Sequence, residues 1–135
     1  MTNLSEPYLI QLQSIPDADR GVLGVAECDT HVPFKIKRIF YQYDMPTGVK
    51  RGGHAHLEQM QFLIAISGVL KVEASQGNRK LLFTLDNPTK GLFIPRMTWL
   101  TIETMAADSI CLVLTSGKYI ESDYIREYQA FLNML

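Results

Sequence analysis

The segment GVKRGGHAHLEQMQFLIAISG, residues 48–68, joins a glycine-rich turn, a His-x-His pair and an apolar β-type run. On a β-strand, residues i and i+2 point to the same face, so His54 and His56 are expected to face one space, with Ala55 turned away. Gln61 follows at the start of the apolar run. Two imidazoles on one face indicate either a metal site or a proton-transfer site. The alternative is that the histidine pair has only a structural role.

Length and composition limit the class of protein. The 135 residues suffice for one domain with a substantial core, which we expect over residues 1–135. A net charge of −1 argues against a dedicated nucleic-acid or membrane-surface binder. No apolar run reaches the length of a membrane span, and the start, MTNLSEPYLI, does not resemble a signal peptide. Cys28 and Cys111 lack zinc or redox spacing, which favours buried thiols in a reducing cytoplasm.

Turn residues divide the chain into short strands followed by one helix. Strands are predicted at residues 8–13, 22–27, 34–43, 61–66, 69–74 and 80–85, and in GLFIP, TWLTIET and SICLVLTS; IPDADRG, residues 15–21, is predicted to be a turn. This spacing favours an antiparallel sandwich or barrel. The end, SDYIREYQAFLNML, is predicted to form a helix capped by Ser122 or Asp123.

The segment FKIKRIFYQY, residues 34–43, alternates like a strand with two different faces. Arg38 shares its face with Phe34, Ile36, Phe40 and Gln42. Tyr41 lies on the opposite face. If the Arg38 face lines the interior, its guanidinium requires an anionic partner, which is either a ligand or an internal carboxylate.

The spacing Gly48-x5-His54-x-His56-x4-Gln61-x6-Gly68 resembles the first motif of the cupins. Metal-binding cupins have Glu where this chain has Gln61, and a further His where this chain has Leu100. Fe, Mn, Ni or Zn sites need about three or four N/O ligands. We therefore expect no metal and favour proton transfer by the two histidines.

The chain resembles more closely the WxcM-like sugar-nucleotide 3,4-ketoisomerases. The resemblance rests on DADRGVLGVAE, PFKIKRIFYQYD, RGGHAH with the following Gln61, LDNPTKGLFIPRMTW and SDYIREYQAF. It implies an all-β double-stranded β-helix (cupin, or jelly roll) with a short C-terminal helix, no metal or organic cofactor, and an intertwined homodimer. It also implies an isomerase that moves the keto group of dTDP-4-keto-6-deoxy-D-glucose from C4 to C3, in the biosynthesis of deoxysugars for surface glycans.

The resemblance also implies roles for particular residues. The family's paired histidines fall on His54, preferred for the carbon acid–base step, and His56, preferred for the protons at the oxygens; the reverse order stays open. The expected substrate-binding residues are Arg20, Arg38, Arg51, Gln61 and Tyr41.

Each substrate-binding expectation has an alternative. Arg51 is expected to face the diphosphate or a developing oxyanion, unless it is a solvated loop residue. Arg20 matches the family's arginine at the sugar end of the site. Gln61 is expected either to orient a histidine or to hydrogen-bond the sugar. Tyr41 serves either the substrate or a dimer contact.

Two departures from the family bear on the product. Several relatives have Lys where this chain has Leu57, and many have His or Arg where it has Leu100. Arg20 favours the galacto configuration at C4. Leu100 stands where a polar residue would support that inference, so this second support is missing. The alternative functions are a metal-dependent cupin enzyme and a non-catalytic nucleotide-sugar binder.

Overall fold

The computed structural model describes residues 5–135. The parts of the single-domain and leader predictions that fall on residues 1–4 lie outside the described residues. The strands are β1 (Tyr8–Gln11), β2 (Gln13–Pro16), β3 (Val22–Val25), β4 (Arg38–Gln42), β5 (Lys50–His56), β6 (Gln61–Ser67), β7 (Leu70–Ser75), β8 (Lys80–Leu85), β9 (Lys90–Ile94), β10 (Trp99–Thr104), β11 (Ile110–Thr115) and β12 (Tyr124–Ile125). A 3-10 turn, Glu121–Asp123, precedes β12, and α1 is Tyr128–Asn133.

Two five-stranded antiparallel sheets face each other. The first has the order β1-β9-β6-β11-β4, and the second has the order β12-β5-β10-β7-β8. A third sheet is the separate β2–β3 hairpin. The prediction of an all-β jelly roll with a short C-terminal helix is confirmed.

The main core lies between the two sheets because their strands alternate. On β6, Leu63 and Ala65 point inward to the main cluster, and Phe62 and Ile64 point to a second cluster on the outer face. Leu63 and Leu92 are fully buried. Burial of each such leucine contributes roughly 1.5–3 kcal/mol. Beside β4 the core gives way to a cavity, which Phe40 and Gln42 line.

A close approach of two backbones fixes the position of the His-x-His strand. Gly52 on β5 has φ of +90°, and a Cβ there would lie 2.5 Å from the carbonyl oxygen of Leu100. The register shifts beside this contact, between Leu100 and Thr101, and His54 pairs with Leu100. Glycine is therefore required at position 52, and it allows β5 to turn His54 inward.

Several predicted boundaries differ from the structure; the strands predicted at residues 8–13 and 22–27 end at Gln11 and Val25. The strand predicted at residues 34–43 is limited to Arg38–Gln42, because Phe34 leaves the ladder and packs in the outer cluster with Phe62 and Phe93. The turn predicted at residues 15–21 begins later, since β2 continues to Pro16 and pairs with Val22.

The C-terminal prediction is correct in part. The helix covers only Tyr128–Asn133, and Asp123 does not cap it. Residues 124–125 pair instead with β5, in the register Tyr124↔His56. Phe131 is buried on the outer side of β5 against Ala55, Met97 and Ile125. Tertiary pairing therefore overrides the helical spacing of the first few residues.

Only one of the two cysteines predicted to be buried is fully buried. Cys111 is buried, and burial raises the pKa of its thiol to about 12, while Cys28 is only half-buried. In residues 5–135 we find no helix with the length and apolar character needed to cross a membrane.

Candidate active site

A cavity of about 400 Å³ lies between the two sheets. Its polar lining comes from Gln42, Lys50, Arg51, His54, Gln61 and Arg126. Its apolar wall includes Phe40, Leu100 and Val113, and Tyr124 closes one side. The volume is in the range of small-molecule sites, and three cations line it without a carboxylate among the lining residues. The cavity is therefore suited to an anionic organic ligand.

The two histidines share the inner face of β5, with Ala55 on the other face. Their ring centroids are 5.2 Å apart, and the ring planes are nearly perpendicular. His54 lines the cavity, whereas His56 lies behind it with only 4% of its surface exposed. His54 is thus the imidazole with direct access to a ligand.

Burial keeps both imidazoles neutral at neutral pH. Desolvation, helped by the nearby His56, lowers the pKa of His54 to about 4, against an opposing hydrogen bond to the Gly52 backbone. Desolvation also lowers the pKa of His56, and Asp123 opposes this shift. A neutral imidazole has one unprotonated nitrogen, so His54 can accept a proton from a ligand.

Asp123 is a site residue that the sequence interpretation treated only as a helix cap. Its Oδ2 lies 2.9 Å from Nδ1 of His56, and the contact is buried. The residues are 67 positions apart, and no local pattern connects them. Only the pairing of β12 with β5 brings them together.

Tyr124 and Arg126 were also missed as site residues. The ring of Tyr124 lies 4.9 Å from that of His54 and 4.4 Å from that of His56. Arg126 stacks on Tyr124 at 4.3 Å and donates two hydrogen bonds to Glu121. The spacing of Tyr124 and Arg126, two residues apart, suits an extended segment whose alternate side chains reach one space.

Three predicted substrate-binding residues lie at or near the cavity. Arg51 and Gln61 line it. The guanidinium of Arg38 lies over the rings of Phe40 and Tyr119 at 5.1 and 5.6 Å. One of its nitrogens, Nη2, is buried without a hydrogen-bond partner, and no ion pair in residues 5–135 includes Arg38. The internal carboxylate expected as one alternative for Arg38 is therefore not found there.

Two predicted residues lie away from this chain's cavity. Arg20 is exposed in the turn of the β2–β3 hairpin and pairs with Asp17. Tyr41 is 61% exposed on the outer face of β4 and stacks on Tyr43 at 5.9 Å. Alternation on β4 explains this position, since Phe40 and Gln42 point into the cavity.

The donor set does not fit a cupin metal. Within the described residues, no group of three or more His, Cys, Asp or Glu side chains is arranged to hold an ion. Leu100 borders His54 across the ladder, and Nδ1 of His56 is engaged by Asp123. The absence of a metal requirement stays a prediction.

Two facing antiparallel sheets around a polar cavity define a cupin-type protein. Within this class, the family described as FdtA, WxcM-like, C-terminal, matches residues 5–135. The chain belongs to this family. The recognition made from the sequence motifs is confirmed.

Relatives of known name extend over nearly the whole chain. It is 36% identical over 126 residues to TDP-4-oxo-6-deoxy-alpha-D-glucose-3,4-oxoisomerase of Aneurinibacillus thermoaerophilus, covering 93% of this chain and 90% of the relative. A 3,4-ketoisomerase from Helicobacter canadensis is 35% identical, with a TM-score of 0.91 and 96% of each chain covered. The enzyme class expected from the sequence, an isomerase, is confirmed at the level of the family.

A third relative has been solved with a sugar nucleotide. It is a histidine-to-asparagine variant of the 3,4-ketoisomerase QdtA from Thermoanaerobacterium thermosaccharolyticum, in complex with TDP-4-keto-6-deoxyglucose. It is 30% identical with a TM-score of 0.90, and 95% of this chain and 92% of that chain are covered.

The lowered histidine pKa values predict acid-sensitive stability. Between about pH 4 and 6.5 the unfolded chain binds protons that the folded chain does not, so the free energy of unfolding should fall as pH decreases through this window. His54→Gln should make this fall shallower. Urea unfolding at several pH values measures it, and an unchanged slope in the variant would contradict the burial of a neutral His54.

Proposed function

We propose that the protein is a sugar-nucleotide 3,4-ketoisomerase that converts dTDP-4-keto-6-deoxy-D-glucose to a dTDP-3-keto-6-deoxyhexose. The observation that carries the proposal is a neutral His54 on the wall of a cavity that Lys50, Arg51 and Arg126 also line. The names of the relatives support the same reaction. The chemistry requires a base near the sugar and cations near the diphosphate.

The first step removes the hydrogen on C3. That C–H bond is acidic because the electron pair left behind is delocalised onto the oxygen of the neighbouring C4 ketone. His54 takes the proton, and an enediolate forms with its charge on O4. A desolvated imidazole with its lone pair free is suited to this role. His54 is preferred over His56 because it lines the cavity.

The second step completes the transfer. The proton of the O3 hydroxyl moves to O4 with the help of His56, and the imidazolium of His54 returns a proton to C4. The double bond then lies between C3 and O3, so the ketone has moved by one carbon. Two protons have changed place and the electrons balance within the substrate, so the step needs no external oxidant.

The cations are assigned to the diphosphate and the developing charge. Arg51, Lys50 and Arg126 line the cavity, and charge-assisted hydrogen bonds from such groups suit phosphate oxygens. Arg38 lies near His56 and lowers its pKa, with a buried nitrogen left without a partner. It is assigned to an anionic group of the ligand, and Gln61 to a sugar hydroxyl.

We also propose that two copies assemble as a homodimer through the β2–β3 hairpin. Val22 and Leu23 on this hairpin are 66% and 62% exposed, and a two-stranded hairpin is marginally stable alone. An apolar groove of about 500 Å³ beside it includes Leu12, Ile64 and Leu112. A second copy would cover these side chains, consistent with the dimer implied by the family resemblance.

In the proposed dimer, Arg20 of one copy can contact the sugar bound in the cavity of the other copy. Arg20 lies at the turn of the exposed hairpin and outside its own chain's cavity. Contact with the sugar therefore requires that the hairpin of one copy extend to the cavity of the other. We assign Arg20 this role, and Tyr41 to the dimer contact, because Tyr41 forms an exposed aromatic pair with Tyr43.

The product and its use follow from the same proposal. With Arg20 at the sugar end we favour the galacto configuration at C4. The apolar Leu100 beside His54 offers no hydrogen bond to the sugar. The product would serve deoxysugar biosynthesis for surface glycans, in the cytoplasm where sugar nucleotides are made.

Substitution of the proposed base, His54, should affect turnover, whereas substitution of the proposed phosphate-binding residue, Arg51, should affect binding. His54→Asn should abolish isomerisation and leave the affinity for dTDP unchanged. Arg51→Ala should weaken dTDP binding by about 1.5–3 kcal/mol through loss of a charge-assisted hydrogen bond. Calorimetric titration and turnover assays measure both. Normal turnover by His54→Asn would show that the assigned base is wrong, and an unchanged dissociation constant would make Arg51 a solvated loop residue.

Mixed dimers test the assignment of Arg20. Arg20→Ala and His54→Asn should each be inactive as homodimers. After they are mixed, unfolded and refolded together, one cavity of each mixed dimer combines an intact His54 with the partner's intact arginine. About a quarter of the wild-type activity should return. Recovery of none, despite mixed dimers seen by native mass spectrometry, would place Arg20 outside the partner's cavity.

A further inference from the structure

We propose that Asp123 is a positioning residue that fixes His56 as the Nδ1–H tautomer and so presents its Nε2 as a proton acceptor. The tautomer assignment depends only on the geometry of this chain. The use of Nε2 in moving the proton between O3 and O4 rests on the proposed function. The two parts are tested by different measurements.

The carboxylate of Asp123 is held by donors from the backbone. Its Oδ1 accepts the N–H of Glu58 at 2.8 Å, and its Oδ2 accepts the N–H of Gln59 at 3.3 Å. Oδ2 also lies 2.9 Å from Nδ1 of His56. An ionised carboxylate can only accept hydrogen bonds, so Nδ1 must carry the proton. The carboxylate therefore determines the tautomer of the imidazole.

The fold holds both partners in one hydrogen-bonded unit. The backbone N–H of Leu57 donates to the carbonyl oxygen of Asp123 at 2.9 Å, and the next residue, Tyr124, pairs with His56 on β5. Asp123 is itself only 7% exposed. The carboxylate has little freedom to leave the imidazole, so the geometry is present before any ligand binds.

The opposite nitrogen of His56 is then an acceptor without a partner. Nε2 is buried, and no donor within residues 5–135 satisfies it. The rings of His54 and Tyr124 lie beside it, with centroids 5.2 and 4.4 Å from that of His56. His54 and Tyr124 both line the cavity, so the wall beside His56 is one side chain thick. An unsatisfied buried acceptor costs about 1–3 kcal/mol, which a ligand hydroxyl that reaches between these two rings would recover.

The charged groups that face His56 explain why a carboxylate is needed. Arg38 and Arg126 both disfavour a positive imidazolium, and Asp123 favours it. During the reaction Nε2 would accept the O3 proton and donate it to O4, while the proton on Nδ1 stays in place. Asp123 would stabilise the short-lived imidazolium between these two transfers.

The experiment compares wild type with Asp123→Asn. In the variant, the amide oxygen is expected to keep the Glu58 N–H, and the amide NH2 then faces Nδ1 of His56. His56 should change to the Nε2–H tautomer, so that Nε2 can no longer accept a proton. Two-bond proton–nitrogen NMR of the imidazole rings should show protonated Nδ1 in wild type and protonated Nε2 in the variant. Turnover should fall by about 10²-fold with unchanged dTDP affinity.

Asp86→Asn is the matched control, because Asp86 is exposed in the turn between β8 and β9 and does not line the cavity. It should behave as wild type in both measurements. An Nε2–H tautomer of His56 in wild type would overturn the proposal even if the variant does not fold. A loss of turnover in Asp123→Asn that is matched by loss of dTDP binding and of thermal stability would mean a merely structural role.

Different outcomes test the tautomer of His56 and the use of its Nε2 in the reaction. If wild type shows the Nδ1–H tautomer and Asp123→Asn changes it, the positioning role stands even where the sugar nucleotide is not isomerised. Failure of the wild-type protein, with this tautomer, to isomerise a bound sugar nucleotide would overturn only the proposed function. Full turnover by a variant with the changed tautomer would overturn the use of Nε2 as the acceptor.

Discussion

The site depends on the position of β5 between two antiparallel partners. β10 pairs with its middle, where the absent side chain of Gly52 admits the carbonyl of Leu100. β12 pairs with its end and brings Asp123 to His56. One partner turns His54 towards the cavity, and the other holds His56 behind it. Without both ladders, the His-x-His motif would be an exposed strand rather than a site.

A second constraint is the burial of the two histidines between the sheets. Burial removes water from the imidazoles and lowers their pKa values, so they are neutral and able to accept protons. The same burial makes an unpaired cation costly, yet Arg38 keeps a buried nitrogen without a partner. The anionic ligand of the proposed function would give this nitrogen a partner. An arrangement of this kind would favour ligand binding at some expense to the stability of the free protein.

The sequence predicts the parts of the site that alternation determines. The shared face of His54 and His56 follows from a period of two residues along one strand. Gln61 was assigned to the site by the motif spacing and the family resemblance, and it lines the cavity. The same alternation places Tyr41 on the face opposite to Arg38, and the expectation that Tyr41 binds the substrate came from the family resemblance without regard to that face; in the structure Tyr41 is exposed and does not line this cavity. The family resemblance gave Arg20 a role that the geometry of one chain does not provide.

The remaining parts depend on contacts distant in sequence. Asp123, Tyr124 and Arg126 lie in a segment whose spacing resembles a helix, and only its pairing with β5 makes it extended. The shortening of the strand at residues 34–43 has a similar cause, because Phe34 gains more from packing under the first sheet than from continuing the ladder. Local pattern cannot show such competition between elements.

Proton NMR of dTDP-4-keto-6-deoxy-D-glucose with chelator-treated protein in heavy water distinguishes proton transfer by the protein from binding alone. We expect a 3-keto sugar that carries deuterium at C4, formed without added metal. The coupling between H4 and H5 of the same product formed in light water reports its configuration. An unchanged spectrum under conditions where the sugar nucleotide is shown to bind would contradict the account, and would mean that the cavity holds the ligand without catalysing proton transfer.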